Sequence, residues 1–293
     1  MKKLLFIFNP SSGKARIRNQ LFDIIQFYTE NGYTVSVYPT QKPGDGYAYV
    51  KELMNEYDLV VCSGGDGTLN EIISGCLDSG QVTKLGYIPS GSTNDFARSI
   101  GIPSELAEAL EVTCAGNAKS IDIGRFGDKY FIYVAGFGAF TKISYSTPQK
   151  VKNTLGYLAY VLEGIKELSE LRNYHVIMEF DSGKLEGDFI MGFVIISFSI
   201  AGFKNPISYL TELNDGLFEI LLIKSPSNII ELQEIIASLL SENVESKHIV
   251  CVRTSKINIV SDPMDWTLDG EFGGRYDTVN ISNIRQAMQI FSK

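Results

Sequence analysis

Short apolar strands alternate with amphipathic helices over the first ~120 residues, and no other feature limits the fold so strongly. Lys3–Asn9 reads as a strand, and Gly13–Glu30 as a helix that stops at Asn31-Gly32. Tyr33–Pro39 is a strand, Asp45–Glu56 a helix and Asp58–Cys62 a strand. Leu69, Ile72, Ile73, Cys76 and Leu77 then recur at helical spacing, and Lys84–Pro89 is the next strand. This order predicts a parallel sheet with helices on both faces, a doubly wound α/β domain.

After Ile121 the pattern changes. Strand-like runs follow one another: Tyr130–Ala135, Tyr174–Phe180, Gly187–Ile200, Gly216–Ile223, Ile249–Val252, Ile257–Ser261 and Asp277–Ile281. Helical patterns interrupt them at Leu155–Leu171 and Asn228–Glu242. Strands in series with turn signals predict an antiparallel β-sandwich. The expected division is an α/β domain over 1–122 and a β domain over 123–283, with the boundary near Ile121–Gly127. Residues 284–293 are free to return to the first domain.

Composition closes off several functions. With 293 residues, 44% hydrophobic and 20% charged, two ordinary domains fit. A net charge of −8 argues against nucleic acid as the main partner. Cys62, Cys76, Cys114 and Cys251 form no C-x-x-C pair, and His175 and His248 are the only histidines, so no zinc spacing exists. Such sparse cysteine fits a reducing cytoplasm. The longest uncharged apolar stretch, Phe189 to Phe203, falls short of the roughly 20 residues that cross a bilayer. No transmembrane helix is expected.

The chemistry gathers in loops that follow strands. Gly64-Gly65-Asp66-Gly67-Thr68 lies between a strand and a helix. Consecutive glycines let backbone N–H groups face an anion, and the helix that follows turns its positive end to the same place. A tight turn needs no more than such a pair, and the spacing is neither that of a P-loop nor G-x-G-x-x-G. Asn9-Pro10-Ser11-Ser12-Gly13-Lys14 follows the first strand, and Pro89-Ser90-Gly91-Ser92-Thr93-Asn94-Asp95 the fourth. Each alone could be a helix cap. All three belong to the carboxyl edge of a parallel sheet, where ligands bind, and together they suit one nucleotide.

These motifs resemble the diacylglycerol kinase catalytic-domain family, most of all its soluble bacterial lipid kinases. The resemblance rests on Asn9-Pro-Ser-Ser-Gly, Gly64-Gly-Asp-Gly-Thr-Leu-Asn-Glu and Gly91-Ser-Thr-Asn-Asp-Phe-Ala-Arg98. It continues in order through Ile121-Asp122-Ile-Gly124, Asn214-Asp215-Gly216 and Leu268-Asp269-Gly270-Glu271, over almost the whole chain. The resemblance implies an ATP- and Mg²⁺-dependent lipid kinase, most readily one that phosphorylates diacylglycerol. Gly64, Gly65, Asp66, Gly67, Thr68, Leu69, Asn70 and Glu71, with Ser92 and Thr40, would bind ATP. The loop Asn9, Pro10, Ser11, Ser12, Gly13 with Lys14 would assist near the phosphates. Asp66 and Asp95 would position Mg·ATP and the acceptor hydroxyl. Glu271 would accept the proton, with Asp269 beside it. Asp215 would ligate a second Mg²⁺ with the carbonyls of Glu212 and Leu217, and Asp122 would join that ion through hydrogen bonds. Ser92 stands where relatives often carry Thr; the hydroxyl is kept.

The carboxylates bear on the metal. Asp66, Asp95, Asp269 and Glu271 near a triphosphate would repel, each like-charge pair at ~4 Å costing about 4 kcal/mol at an intermediate dielectric. No matching block of Lys or Arg accompanies them, so divalent cations are expected to neutralise the charge. On residue grounds alone, Asn214-Asp215-Gly216 and Asp269-Gly270 are also ordinary hairpin turns, and Trp266 is packing.

The expected partner is a lipid at a membrane surface, reached by transient peripheral contact from the cytoplasm. An apolar cleft would receive it, with Tyr133 to Phe140 as candidates and core packing as their plain reading. Lys142, Lys150 and Lys152 near Tyr145, Tyr157 and Tyr160 suit a membrane-facing rim or a solvated helix face. A homodimer is compatible with the sequence. The alternatives are a kinase of a soluble acceptor, as in NAD kinases, and a regulator without turnover.

Overall fold

The structure is a computed structural model, and it describes residues 2–13, 17–80, 84–91, 94–115, 117–138, 162, 171–196, 199–200, 203–204, 212–241 and 246–293. The chain divides into two compact units, Met1–Asp122 with Gln286–Lys293, and Ile123–Arg285.

The first unit is the α/β half. Strands β1 (Lys2–Phe8), β2 (Tyr33–Pro39), β3 (Leu59–Gly64) and β4 (Lys84–Pro89) pair in parallel in the order β2-β1-β3-β4. Helices α1 (Ile17–Glu30), α2 (Asp45–Leu53), α3 (Asp66–Asp78), α4 (Asp95–Ile100) and α5 (Leu106–Ala115) connect and follow them. Alternation along β1 sends Leu4, Phe6 and Phe8 to one face, where Ile17, Ile24 and Tyr28 of α1 and Ala109 and Leu110 of α5 cover them. Tyr28 Oη meets Thr113 Oγ1 at 2.7 Å and ties α1 to α5 inside that layer. Cys62 of β3 and Cys76 of α3 are buried as free thiols, and burial pushes Cys62 well above its ordinary value and Cys76 up to about 12.

The second unit is antiparallel. Strand β5 (Asn117–Phe126) carries the chain into it, followed by β6 (Lys129–Phe131), β7 (Val134–Gly138), β8 (Tyr174–Phe180) and β9 (Gly183–Ile195). The two-residue strands β10 (Ser199–Ile200) and β11 (Phe203–Lys204) pair with each other. Then come β12 (Phe218–Lys224), helix α6 (Ile229–Leu240), β13 (Ile249–Thr254), β14 (Lys256–Leu268) and β15 (Glu271–Ser292). The hydrogen bonds of the expected sandwich run as one continuous network, β13-β12-β9-β7-β14-β15, with β8 joining β9 and β14 beside β7. Trp266 is fully buried among Phe126 and Phe137, with ring centroids 5.0 and 5.2 Å away. The last residues of β15 pair in parallel with β4, Gln289 with Lys84 and Ile290 with Leu85, and so belong to the first unit.

The single strand expected at Tyr130–Ala135 is two strands. The N–H groups of Ile132, Tyr133 and Val134 all point at the Asp269 carboxylate, which interrupts the ladder there. The helix expected at Leu155–Leu171 and the rim residues from Lys142 to Tyr160 lie outside the described residues. Tyr133 to Gly138 are buried, in accord with core packing. Among the described residues, no helix is long and apolar enough to cross a membrane.

One turn gives a pH test. Asp181, between β8 and β9, accepts from Ser255 N at 2.8 Å, Ser255 Oγ at 2.6 Å and Thr254 Oγ1 at 3.1 Å. These bonds hold its carboxyl at about 2, below an unfolded value of ~3.9. Its contribution to stability is therefore complete above about pH 4 and is lost as pH falls toward 2. The difference in urea midpoint between wild type and Asp181→Asn should be constant near neutrality and shrink on acidification below pH ~4.

Candidate active site

The three loops of the first unit meet backbone to backbone at the carboxyl ends of β1, β3 and β4. Gly13 has φ +38°, and a Cβ there would lie 2.0 Å from the Ser90 carbonyl oxygen. A Cβ on Gly91 would lie 2.5 Å from Gly65 Cα. One on Gly64 would lie 2.4 Å from Thr68 Cβ. No side chain larger than hydrogen fits these approaches, which is the physical need for glycine at 13, 64 and 91.

Hydrogen bonds lock the contact. The Gly64 carbonyl accepts from Ser90 N at 2.9 Å, Gly91 N at 3.1 Å and Tyr87 Oη at 3.0 Å. Asn94 spans the third loop, accepting from Gly91 N at 2.9 Å and donating to Gly91 O at 3.0 Å. Asn9 N donates to Ser63 O at 2.9 Å, and its side chain accepts from Ser11 N at 2.9 Å. Asn9 Nδ2 reaches Thr68 Oγ1 at 3.4 Å. Thr40 N donates to Phe8 O at 2.9 Å, which brings the end of β2 against the end of β1. Glu71 Oε1 accepts from Gly44 N at 2.9 Å and holds the β2–α2 loop against α3.

The start of α3 is open. Its N-cap is Gly65, and no side chain caps it. The first N–H groups of a helix have no intrahelical partner, so those of Gly67 and Thr68 in α3 can serve an anion, reinforced by the helix dipole. Asp66 turns aside: its Oδ1 accepts from Phe96 N at 3.3 Å, joining the first turns of α3 and α4. Lys14, Ser92 and the side chain of Asp95 lie outside the described residues.

The remaining predicted residues sit on other elements. Asp122, buried in the first unit, accepts from Gln286 N at 2.7 Å. In the second unit Asp269 is buried at the β14–β15 turn, with φ +49° followed by Gly270 at +88°. Its Oδ2 accepts from Ile132 N at 2.8 Å, and its Oδ1 from Tyr133 N at 3.0 Å and Val134 N at 3.1 Å. Tyr133 Oη donates to its carbonyl at 2.5 Å. Asp269 thus anchors the hairpin, and the next strand residue, Glu271, is exposed.

Asp215 lies in the turn before β12. Oδ1 accepts from Leu217 N at 2.8 Å, and Oδ2 pairs with Arg253 Nη2 at 2.5 Å. The Leu217 carbonyl accepts from Asn283 Nδ2 at 3.1 Å, and Asn283 Oδ1 is buried without a hydrogen-bond partner among the described residues. Among the described residues, no three His, Cys, Asp or Glu side chains gather around a metal. A site at this turn would instead draw on carbonyl oxygens. The donors are hard oxygens, and the orphaned Asn283 oxygen needs a cation or a water, so the turn fits a Mg²⁺-type ion. Tyr87, Arg253 and Asn283 carried no sequence signal; their roles come from distant pairings.

A glycine cradle before an uncapped helix, at the carboxyl edge of a doubly wound sheet, is the build of a phosphate-binding α/β domain. Comparison with known proteins agrees. Residues 3–126 match the family described as diacylglycerol kinase catalytic domain. The diacylglycerol kinase of Bacillus subtilis (strain 168) is 36% identical over 94% of this chain and 91% of its own. That of Staphylococcus aureus (strain MRSA252) is 34% identical over 99% of this chain and 92% of its own. The crystal structure of a diacylglycerol kinase from Bacillus anthracis str. Sterne shares the fold, with TM-score 0.79 and 23% identity over 100% of this chain and 97% of that one. The chain belongs to the diacylglycerol kinase family and is a kinase.

Gly13→Ala should test the loop lock. It places Cβ 2.0 Å from Ser90 O and adds a left-handed φ, a strain of about 1–3 kcal/mol before any shift. The expected result is a lowered unfolding midpoint and weakened binding of a fluorescent ATP analogue.

Proposed function

We propose that this protein transfers the γ-phosphate of ATP to the hydroxyl of diacylglycerol, giving phosphatidic acid. The observation that carries the reading is the glycine-locked junction of three loops around the uncapped start of α3. It is supported by kinship over nearly the whole chain to proteins called diacylglycerol kinases.

In this reading the loops Asn9–Lys14 and Gly64–Glu71, with Thr40 and Ser92, hold the nucleotide. Asp66 and Asp95 position Mg·ATP and the acceptor. Glu271 takes the proton of the lipid hydroxyl, a poor nucleophile that a placed carboxylate activates. Asp269 holds the hairpin that presents Glu271. When bound, Mg²⁺ supplies positive charge to the phosphates. A second Mg²⁺ would be held by Asp215 and the carbonyls of Glu212 and Leu217, supplying positive charge at that turn. The enzyme works from the cytoplasm by transient contact with a membrane surface.

The test is transfer of radiolabelled γ-phosphate from ATP to lipids in mixed micelles, with Mg²⁺ and with chelator. Mg²⁺-dependent label in diacylglycerol is expected. Bound ATP with no label in any lipid would sink this reading in favour of a soluble acceptor or a role without turnover.

A further inference from the structure

The Asp215 turn carries a cation of its own. Glu219 and Arg253 face each other across the β12–β13 ladder. The Glu219 side chain is 1% exposed, and a carboxylate so deep requires a counter-charge. Arg253 Nε provides it at 3.1 Å. The same guanidinium extends Nη2 to Asp215 Oδ2 at 2.5 Å. One arginine therefore bridges a buried carboxylate and the carboxylate expected to bind metal. Its planar fork makes this geometry available, where a lysine ammonium would act as a single point charge.

Around the same turn lies an unmet demand. Asn283 Oδ1 is buried and unpartnered while its Nδ2 is spent on the Leu217 carbonyl. A buried acceptor left without a partner is costly, so the arrangement with Arg253 on Asp215 does not satisfy every oxygen of the turn. A divalent ion or its bound water would, but it must take Asp215 Oδ2 from Arg253.

We propose that Arg253 is an internal competitor for the divalent cation at this turn. Anchored to Glu219 by Nε, it either holds Asp215 through Nη2 or yields it to the metal. Asp215 is then paired in both states, and the unit keeps its fold when metal is stripped. Metal affinity is lowered because the ion displaces a guanidinium as well as water. This inference rests on the metal reading given above and is separable from it.

The test is Mn²⁺ binding to the full chain without nucleotide, followed by electron paramagnetic resonance. Asp215→Asn identifies the site by abolishing it. The informative variant is the pair Glu219→Gln and Arg253→Gln, which removes one negative and one positive charge together and leaves the net charge of the trio unchanged. The Asp215-dependent site should bind Mn²⁺ about tenfold tighter in this variant, a gain of about 1.4 kcal/mol. Its melting temperature should also depend on metal more steeply than that of the wild type. Equal affinity in variant and wild type would overturn the proposal and leave the metal reading standing. No Asp215-dependent site in either protein would overturn both, while the label-transfer assay judges the kinase reading separately. Should the double variant not fold, the Arg253 Nε–H resonance of the wild type decides, with Arg253→Lys used for assignment. It should move as Mg²⁺ fills the site, and an unmoved signal with the site filled refutes competition.

Discussion

Glu271→Gln is expected to lower kcat by a factor of about 10²–10⁴ while ATP still binds and the unfolding midpoint stays in place. The expectation follows from where the residue sits. Glu271 is exposed at the first position of β15, opposite Leu268 in the ladder. The amide is nearly isosteric with the carboxylate and cannot take a proton at neutral pH. A loss of kcat with an unchanged KM for ATP would be the mark of a missing base. A rate close to wild type would place the base on another residue.

Asp269→Ala is expected to cost stability on a scale that Glu271→Gln does not. Three backbone N–H groups, those of Ile132, Tyr133 and Val134, end on its carboxylate. Removing it orphans all three in the interior, at about 1–3 kcal/mol each, or roughly 3–9 kcal/mol together. The left-handed φ of +49° adds to the loss, because alanine tolerates that region less well than Asp or Asn. Asp269→Asn keeps one acceptor oxygen and the backbone preference, so it should fall between wild type and the alanine variant. Chemical denaturation checks the order. If Asp269→Ala kept the wild-type midpoint, the anchoring role would be untenable.

What the sequence could reveal, and what it could not, divides along the range of the interaction. Tyr33–Pro39, Lys84–Pro89 and Tyr174–Phe180 occupy the positions that their apolar patterns predict. The patterns are local, so they are readable. The glycine at the end of β3 and the helix that starts at Asp66 are likewise adjacent in the chain. The expected strand Asp277–Ile281 fared differently, for it is the middle of a strand running from Glu271 to Ser292. Gly273 and Gly274 look like a turn in isolation, yet Gly274 pairs with Trp266 in the ladder and Gly273 is the extra residue at a register shift before Phe272 pairs with Thr267. The helix expected from Gly13 is described over Ile17–Glu30, and Gly13 itself lies outside it, bent to a positive φ against Ser90, some eighty positions away in the chain. Asp269 shows the same limit. Asp-Gly reads as a hairpin turn, which it is, but nothing nearby tells that the carboxylate collects three N–H groups from residues 132–134.

The long strand β15 has a consequence for how the chain is made. Its final residues lie beside β4 and belong to the first unit, whose other residues end at Asp122. On a ribosome adding roughly 5–20 residues per second, the two portions emerge something like ten to thirty seconds apart. Through that interval the nascent α/β unit has β4, four of whose six residues are buried in the finished protein, as an unpaired sheet edge. Completion of this unit therefore waits for synthesis of the whole second unit, and the interval is the period in which a cell's holding chaperones would matter most to this chain.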